Sequence, residues 1–380
     1  MSRRNLAREL YPASTDANAL NALRQCLHRM KQWLGPEALQ ADNQFVGLTT
    51  GVWEVKRPPT RHTSFPPTPT PGQAAAKAFQ KLVTEVAQLD TEEARLILLG
   101  SKTVADSLPL SDWHDLLALT APRSMKEAHA YDHMASCARY CHRTLMFQRA
   151  VTLHTRVFRQ AMQANRPNLV SRSSSWLLFS FVEMGDMEAA RKWLPTVIGS
   201  DRTNAGLLFA ANARACCAWN ALDLTSASEQ FDRASRLIHT ASRTDQAHYW
   251  SNFAVFCAEA GHVSESRDNI ARAKALLVPG LDVVSDINCR LADAICARQA
   301  GSPAVAVDSL RGCHESESRR GDMLSALYCD EYLAEALACI GEKADAVRLW
   351  RNSEQRRLAG GGRLTPRLQA MKSRIEAMIA

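Results

Sequence analysis

After Gln73, apolar residues recur at intervals of three and four, the spacing of one face of a helix, and strand-like alternation is almost absent. A longer period is superimposed on this short one. Gly185-Asp-Met-Glu-Ala-Ala190, Leu222-Asp-Leu-Thr-Ser-Ala227, Gly261-His-Val-Ser-Glu-Ser266, Gly301-Ser-Pro-Ala-Val-Ala306 and Gly341-Glu-Lys-Ala-Asp-Ala346 follow one another at about 40 residues, with a weaker copy at Leu145 to Ala150. Each copy lies between two amphipathic stretches, such as Tyr249 to Glu259 and Ser264 to Leu277. The glycine or its substitute ends one helix in a turn, and the small residue five positions later lets the next helix pack closely on it. The pattern predicts helical hairpins stacked in a row.

Ala234 and Ala273 provide further small positions, and Leu194, Phe231, Ile270, Leu310 and Trp350 provide bulky ones, whereas Ser266, Gly312 and Ser353 replace the preferred alanines. From Met134 to Arg357 this arrangement resembles the tetratricopeptide repeat, in the longer form found in bacterial regulators and sensors. The resemblance implies a curved array whose inner wall is formed by the first helix of each pair. Asn212, Arg214, His248, Tyr249, Asn252, Arg290, Tyr328 and Tyr332 are the expected lining of that groove, suited to a peptide or protein partner or to a second copy of the chain. Any one of them also fits ordinary helix surface or core.

The amino-terminal pattern is different. Leu20, Leu23, Leu27, Met30 and Leu34 mark the apolar face of a helix that starts near Thr15 or Asp16 and stops at Gly35-Pro36. Its opposite side carries Asn21, Gln25, His28 and Gln32, flanked by Arg24, Arg29 and Lys31. A shorter helix, Asn5 to Leu10, precedes it, and Ala38 to Ala41 with Gln44 to Leu48 read as two strands joined by a two-residue Asp42-Asn43 turn. Fifteen residues from Pro58 to Gly72 then include six prolines, which cannot continue a helix or pair inside a sheet.

In order and spacing, Glu9-Leu-Tyr-Pro12, Asn21 to Gly35 and Leu39 to Leu48 resemble the second half of an OmpR-type winged helix. The closest flavour is that of antibiotic-regulatory-protein activators, in which such a domain precedes tetratricopeptide-like helices. In that family an additional small sheet and helix precede the matched segment. The resemblance implies that the polar helix face enters the major groove of double-stranded DNA. Asn21, Gln25, His28 and Gln32 would then face base edges, and Arg24, Arg29 and Lys31 would face phosphates, with Arg3, Arg4 and Lys56 as additions. A solvated surface helix shows the same alternation, and the hairpin that follows is what favours the DNA reading.

The expected fold class is therefore mainly α: a tetratricopeptide-like α-solenoid with a small N-terminal helix–helix–hairpin unit, a partial winged helix. Its parts are residues 1–57 as the winged-helix-like unit, 58–72 as a proline-rich linker, 73–133 as a helical cap and 134–380 as repeats. A chain of 380 residues with 46% hydrophobic composition has ample material for such a core. No apolar run is long enough to span a bilayer and no apolar segment follows the basic start, so a soluble, cytoplasmic protein is expected. Eleven scattered cysteines read as reduced thiols serving as small core residues. His129, His133, Cys137 and Cys141 step by four along one helix, but about 18 Å separates the first from the last, so one ion cannot take all four and a buried face accounts for them. With no phosphate-binding glycine loop, nucleophile elbow or zinc-protease helix, neither an enzyme nor a cofactor nor a metal is expected.

Overall fold

A computed structural model describes residues 39–41, 46–48, 110, 114, 117, 127–199, 204–277 and 282–380. The chain divides into two units, Met1–Val104 and Ala105–Ala380. In the first, β1 (Leu39–Ala41) pairs antiparallel with β2 (Val46–Leu48), setting Leu39 opposite Leu48 and Ala41 opposite Val46. Four residues, not the expected two, separate the paired strands. A two-residue turn would have set Ala41 against Gln44, whereas the observed register matches apolar positions with apolar ones. The polar-striped helix, the proline-rich linker at 58–72 and most of the expected cap lie outside the described residues. Within that cap, Leu110 and Leu117 are buried.

The second unit is a row of helical hairpins. Its first helix with described bounds is α1 (Glu127–Arg143), which spans the expected boundary at Met134 and is followed by α2 (Phe147–Gln163). The row continues through α3 (Pro167–Glu183) and α4 (Met187–Gly199), α5 (Asn204–Asn220) and α6 (Leu224–Ser235), and α7 (Arg243–Glu259) and α8 (Val263–Leu276). The hairpins α9 (Val283–Gln299) with α10 (Pro303–Arg320) and α11 (Met323–Cys339) with α12 (Lys343–Ala359) follow, and α13 (Pro366–Ile379) ends the row. Local chemistry sets several of the starts. Asp223, Ser242, Asp322 and Thr365 accept a backbone N–H from the first turn that follows them, and Pro167, Pro303 and Pro366 stand where a helix needs no N–H.

Every hairpin closes in the same way. Leu145, Gly185, Leu222, Gly261, Gly301 and Gly341 are left-handed, with φ between +62° and +85°. At Gly185 its own N–H reaches the Val182 carbonyl and the Asp186 N–H reaches Phe181, the paired bonds of a Schellman stop, and the other five turns repeat them. Five residues after each turn stand Ala150, Ala190, Ala227, Ser266, Ala306 and Ala346, all essentially inaccessible to solvent. Ser266 fits this tight position because its hydroxyl donates to the Ala254 carbonyl on the facing helix. Twelve residues after each turn come Val157, Val197, Ala234, Ala273, Cys313 and Ser353, also buried. The small position of the α9–α10 hairpin is thus Cys313. Gly312, the expected one, is exposed, because it precedes the buried register by one residue and so lies about 100° around the helix.

The ten described cysteines are all free and eight are buried, so they pack as small apolar groups. No described helix is long and apolar enough to cross a membrane.

Gly261 has φ +85° and open space where a Cβ would go, so Gly261→Ala tests the backbone alone. It should cost about 1 kcal/mol in urea unfolding. Leu222, exposed at φ +63°, should respond in the opposite direction, with Leu222→Gly gaining up to about 1 kcal/mol.

Candidate functional site

The last residue of each first helix falls two positions before the left-handed turn, which repeats the same spot along the array. Arg143, Glu183, Asn220, Glu259 and Gln299 occupy it in the first five hairpins. All are polar, and together they form a ladder along the ends of the first helices. The carboxy-terminal helices and the turn between α12 and α13 lie across this ladder.

Each rung has a partner. Arg143 donates Nε to Asp322 Oδ2 at 3.0 Å and also engages it through Nη2, while Asp322 caps α11 by accepting from the Ser325 N–H. Glu183 receives the Tyr328 hydroxyl and the Arg357 guanidinium, whose Nη1 is 3.2 Å from Oε2. The same guanidinium donates Nε to Glu331 at 2.7 Å and is itself 1% exposed. Asn220 Oδ1 accepts from Thr365 at 3.1 Å and from Arg367 at 3.3 Å. Glu259 is the most heavily used: it accepts from Trp219 Nε1 at 2.7 Å, Tyr332 at 2.6 Å and Arg367 Nη1 at 2.8 Å. Arg367 also lies over the Trp219 ring, 4.7 Å from its centroid. Gln299 donates to the Ala258 carbonyl of the neighbouring hairpin.

The backbone completes the seal. The Arg363 N–H donates to the Met184 carbonyl at 2.8 Å. A Cβ on Gly360 would lie 2.2 Å from the Leu145 carbonyl oxygen and one on Gly185 2.7 Å from that of Arg363, so neither close approach tolerates a side chain. Leu145, Phe147, Met184, Leu324 and Leu327 form an apolar cluster beside this closure.

Electrostatics keep the clasp ionised. Burial pushes Glu183 up, but Arg357 and the Tyr328 hydroxyl outweigh it and hold the carboxyl below its usual range. Burial opposes the charge of Asp322 too, and Arg143 reverses the balance. Arg357 and Arg367 are opposed by burial and held charged chiefly by Glu331 and Glu183 for the first and by Glu259 for the second.

Two histidines lie buried beside the first rungs. His154 stacks on Trp176 with ring centroids 5.9 Å apart, and neither of its ring nitrogens has a hydrogen-bond partner. It fills the position nine residues after the turn, where Phe231, Ile270, Leu310 and Trp350 stand in later hairpins. His142 meets the Trp176 edge at 5.6 Å, with Nδ1 3.4 Å from the Ser180 hydroxyl. Burial drives both imidazoles toward the neutral form.

The eight expected groove residues do not form one surface. Tyr328 and Tyr332 are in the clasp. His248, Asn252 and Asn288 make a short polar chain between α7 and α9, with 3.3 Å and 2.7 Å between successive groups. Asn212 is buried, and Arg214 is half-buried, with burial and nearby Arg233 lowering its pKa. Arg290 is exposed and paired with Asp286. Tyr249 belongs to the core: its ring packs near Phe231 and Phe253, and its hydroxyl donates to the Phe231 carbonyl at 2.6 Å. It points at α6 of the preceding hairpin because a first helix is packed on several sides and polarity alone does not mark the inner one. The DNA-facing candidates Asn21, Arg24, Gln25, His28, Arg29, Lys31 and Gln32 lie outside the described residues. Among the described residues, no three His, Cys, Asp or Glu side chains converge on one metal position.

No protein-family model matches the chain. No curated protein matches it in sequence. Among solved structures, that of a Rap protein complexed with competence and sporulation factor is similar, with a TM-score of 0.49 and 10% identity over 81% of this chain and 94% of that one.

Sequence reasoning missed Glu183, Asn220, Glu259, Arg357 and Arg367. For the first three a signal was available: a polar residue two places before the turn in each of the first five repeats, recurring with the 40-residue period; Arg357 and Arg367 carry no such mark.

Removing Arg357 as Arg357→Met leaves Glu183 and Glu331 without their shared cation and should cost about 3–5 kcal/mol in denaturant unfolding. The histidines set a separate pH response. Their folded values lie below 6.5, so their contribution is full above 6.5 and is lost as the pH falls and the unfolded chain takes up protons. The urea midpoint should therefore drop between pH 7.5 and 5.5, and His154→Phe should flatten that drop.

Proposed function

We propose that this chain is a cytoplasmic regulator of transcription, of the bacterial type, in which a winged-helix-like unit contacts DNA and the helical repeats engage a peptide or protein. The ladder carries the second half of this reading. A hydrophobic plug of similar volume would hold the array as well as buried ions do, so burial strength alone does not account for carboxylates at this position. What the ladder adds is a row of directional acceptors, Glu183 and Glu259 foremost, placed to receive guanidinium groups and hydroxyls. The chain's own Arg357 and Arg367 occupy them. A partner segment with basic side chains would compete for the same acceptors and, by favouring one arrangement of the repeats over another, could bias the DNA-binding unit.

The DNA-binding half draws its support from the paired hairpin of β1 and β2, which follows the polar-striped segment in the order a wing requires. In this reading Asn21, Gln25, His28 and Gln32 meet bases, and Arg24, Arg29 and Lys31 meet phosphates.

Two measurements test the halves separately. Salt-titrated binding to promoter and random duplexes should show affinity that falls as salt rises, with Arg29→Ala weakening both and Gln25→Ala mainly eroding the preference. If the full chain shows no salt-sensitive binding, the DNA half fails and a repeat scaffold remains. For the repeats, Arg367→Ala opens a guanidinium-sized site beside Glu259, and low-millimolar methylguanidinium should raise the melting temperature of that variant but not of the native chain. An absence of rescue would count against the ladder as a receiver of basic groups.

A further inference from the structure

The chain's entire excess of positive charge lies in one stretch. Between His133 and Val182 there are seven arginines and no acidic residue, and the rest of the chain balances 39 basic side chains against 39 acidic ones, for the overall +7. Inside the fold, Arg139 and Arg143 of that stretch are buried on internal partners. Arg149, Arg156, Arg159 and Arg172 are exposed, and none of them forms an ion pair among the described residues.

Three of these four share one face of α2. The helix buries Phe147, Ala150, His154, Val157 and Ala161. Turning about 100° per residue, the opposite side spans an arc of about 100° and consists of Gln148, Arg149, Thr152, Arg156, Arg159 and Gln163, all exposed. The arc holds no carboxylate, aromatic or aliphatic side chain; exposed Met162 stands at its margin. Elsewhere in this unit several exposed cations sit beside acids, as in Lys192 with Glu188, Arg290 with Asp286, Arg311 with Glu342 and Arg348 with Asp345. Single exposed cations such as Arg191, Arg267 and Arg351 also form no ion pair among the described residues, but each shares its helix with acidic side chains, which α2 lacks.

Composition selects the partner. Protein-binding surfaces centre on buried apolar or aromatic anchors, which this arc lacks. Surfaces that bind nucleic acid are polar and positive, and they reach phosphates through arginine, threonine and glutamine side chains. Arg149 to Arg159 covers about 15 Å along the axis, against a phosphate every 3.4 Å or so along one strand of a duplex. We infer that the outer face of α2 binds the phosphate backbone of double-stranded DNA without reading its sequence. The choice of a duplex over other polyanions rests on the regulator reading above, while the residues involved are different.

The test uses the full chain and a random-sequence duplex, with anisotropy followed from 50 to 200 mM salt. Combining Arg149→Gln, Arg156→Gln and Arg159→Gln should reduce the slope of log affinity against log salt by about 2–3 and weaken binding tenfold or more. The corresponding lysine triple variant should retain most of the slope. All three side chains are exposed, so an unchanged melting temperature confirms that the fold is intact. An unaltered slope in the glutamine variant overturns the inference, and so does binding of polyglutamate in preference to the duplex, which would assign the face to an acidic protein. Arg24→Ala with Arg29→Ala separates this site from the N-terminal segment. If that pair abolishes duplex binding while the α2 variant is silent, the α2 face falls and the regulator reading stands; the reverse result keeps the α2 face and removes the N-terminal contact.

Discussion

The array rests on a constraint of five residues: a left-handed turn followed by a side chain small enough to be swallowed whole. At six successive turns the residue five places on is alanine or serine and has essentially no exposed surface. Anything larger would hold the two helices of a hairpin apart and tilt every later hairpin with them. Because the turn is closed by backbone bonds, its geometry varies little whether its centre is Gly261 or Leu222. Uniform turns and uniform first helices place the residue two before each turn at equivalent points along the array. The polar ladder is a consequence of that regularity.

The ladder in turn changes the kind of solenoid this is. Repeat arrays are ordinarily held by contacts between neighbours, so that stability accumulates unit by unit. Here Arg143 meets Asp322 and Glu183 meets Arg357, across 179 and 174 residues of sequence. Fixing such contacts closes long loops, and their ions leave water; neither cost is recovered unless the whole curve of the array is right. Tyr328 and Tyr332 help by satisfying carboxylate lone pairs that water would otherwise have served.

Much of the repeat architecture was legible because it repeats. The turn and small positions recur often enough that a substitute such as Leu222 or Ser266 is recognised by its place, and the strands of the amino-terminal hairpin were visible from their alternation. The register errors have physical origins: Gly312 looked like a small core position but lies one residue off the buried stripe, and the hairpin loop was set by matching apolar pairs across strands instead of by the Asp42-Asn43 dipeptide. The inner wall was much less legible. A first helix packs against its hairpin partner and against the next first helix, so buried residues surround it and polarity does not single out one side. Tyr249 and Tyr332 look alike in sequence, yet one packs onto the preceding hairpin and the other helps close the array. Nor does a local window connect Glu259 with Arg367, since what brings them together is the accumulated curvature of several repeats.

That curvature also brings early and late hairpins together. An open solenoid exposes an apolar face at each terminus and needs a polar cap there. Among the described residues, early and late hairpins seal one another: Leu145 and Phe147 pack with Leu324 and Leu327 of α11, and the Gly360 backbone presses against the Leu145 carbonyl. Closure of this kind couples distant hairpins, so loss of one clasp should be felt in both instead of fraying one. A ladder already filled by its own arginines can admit a partner only by giving up these contacts. The free energy of closure therefore sets a floor on how strongly any competitor must bind.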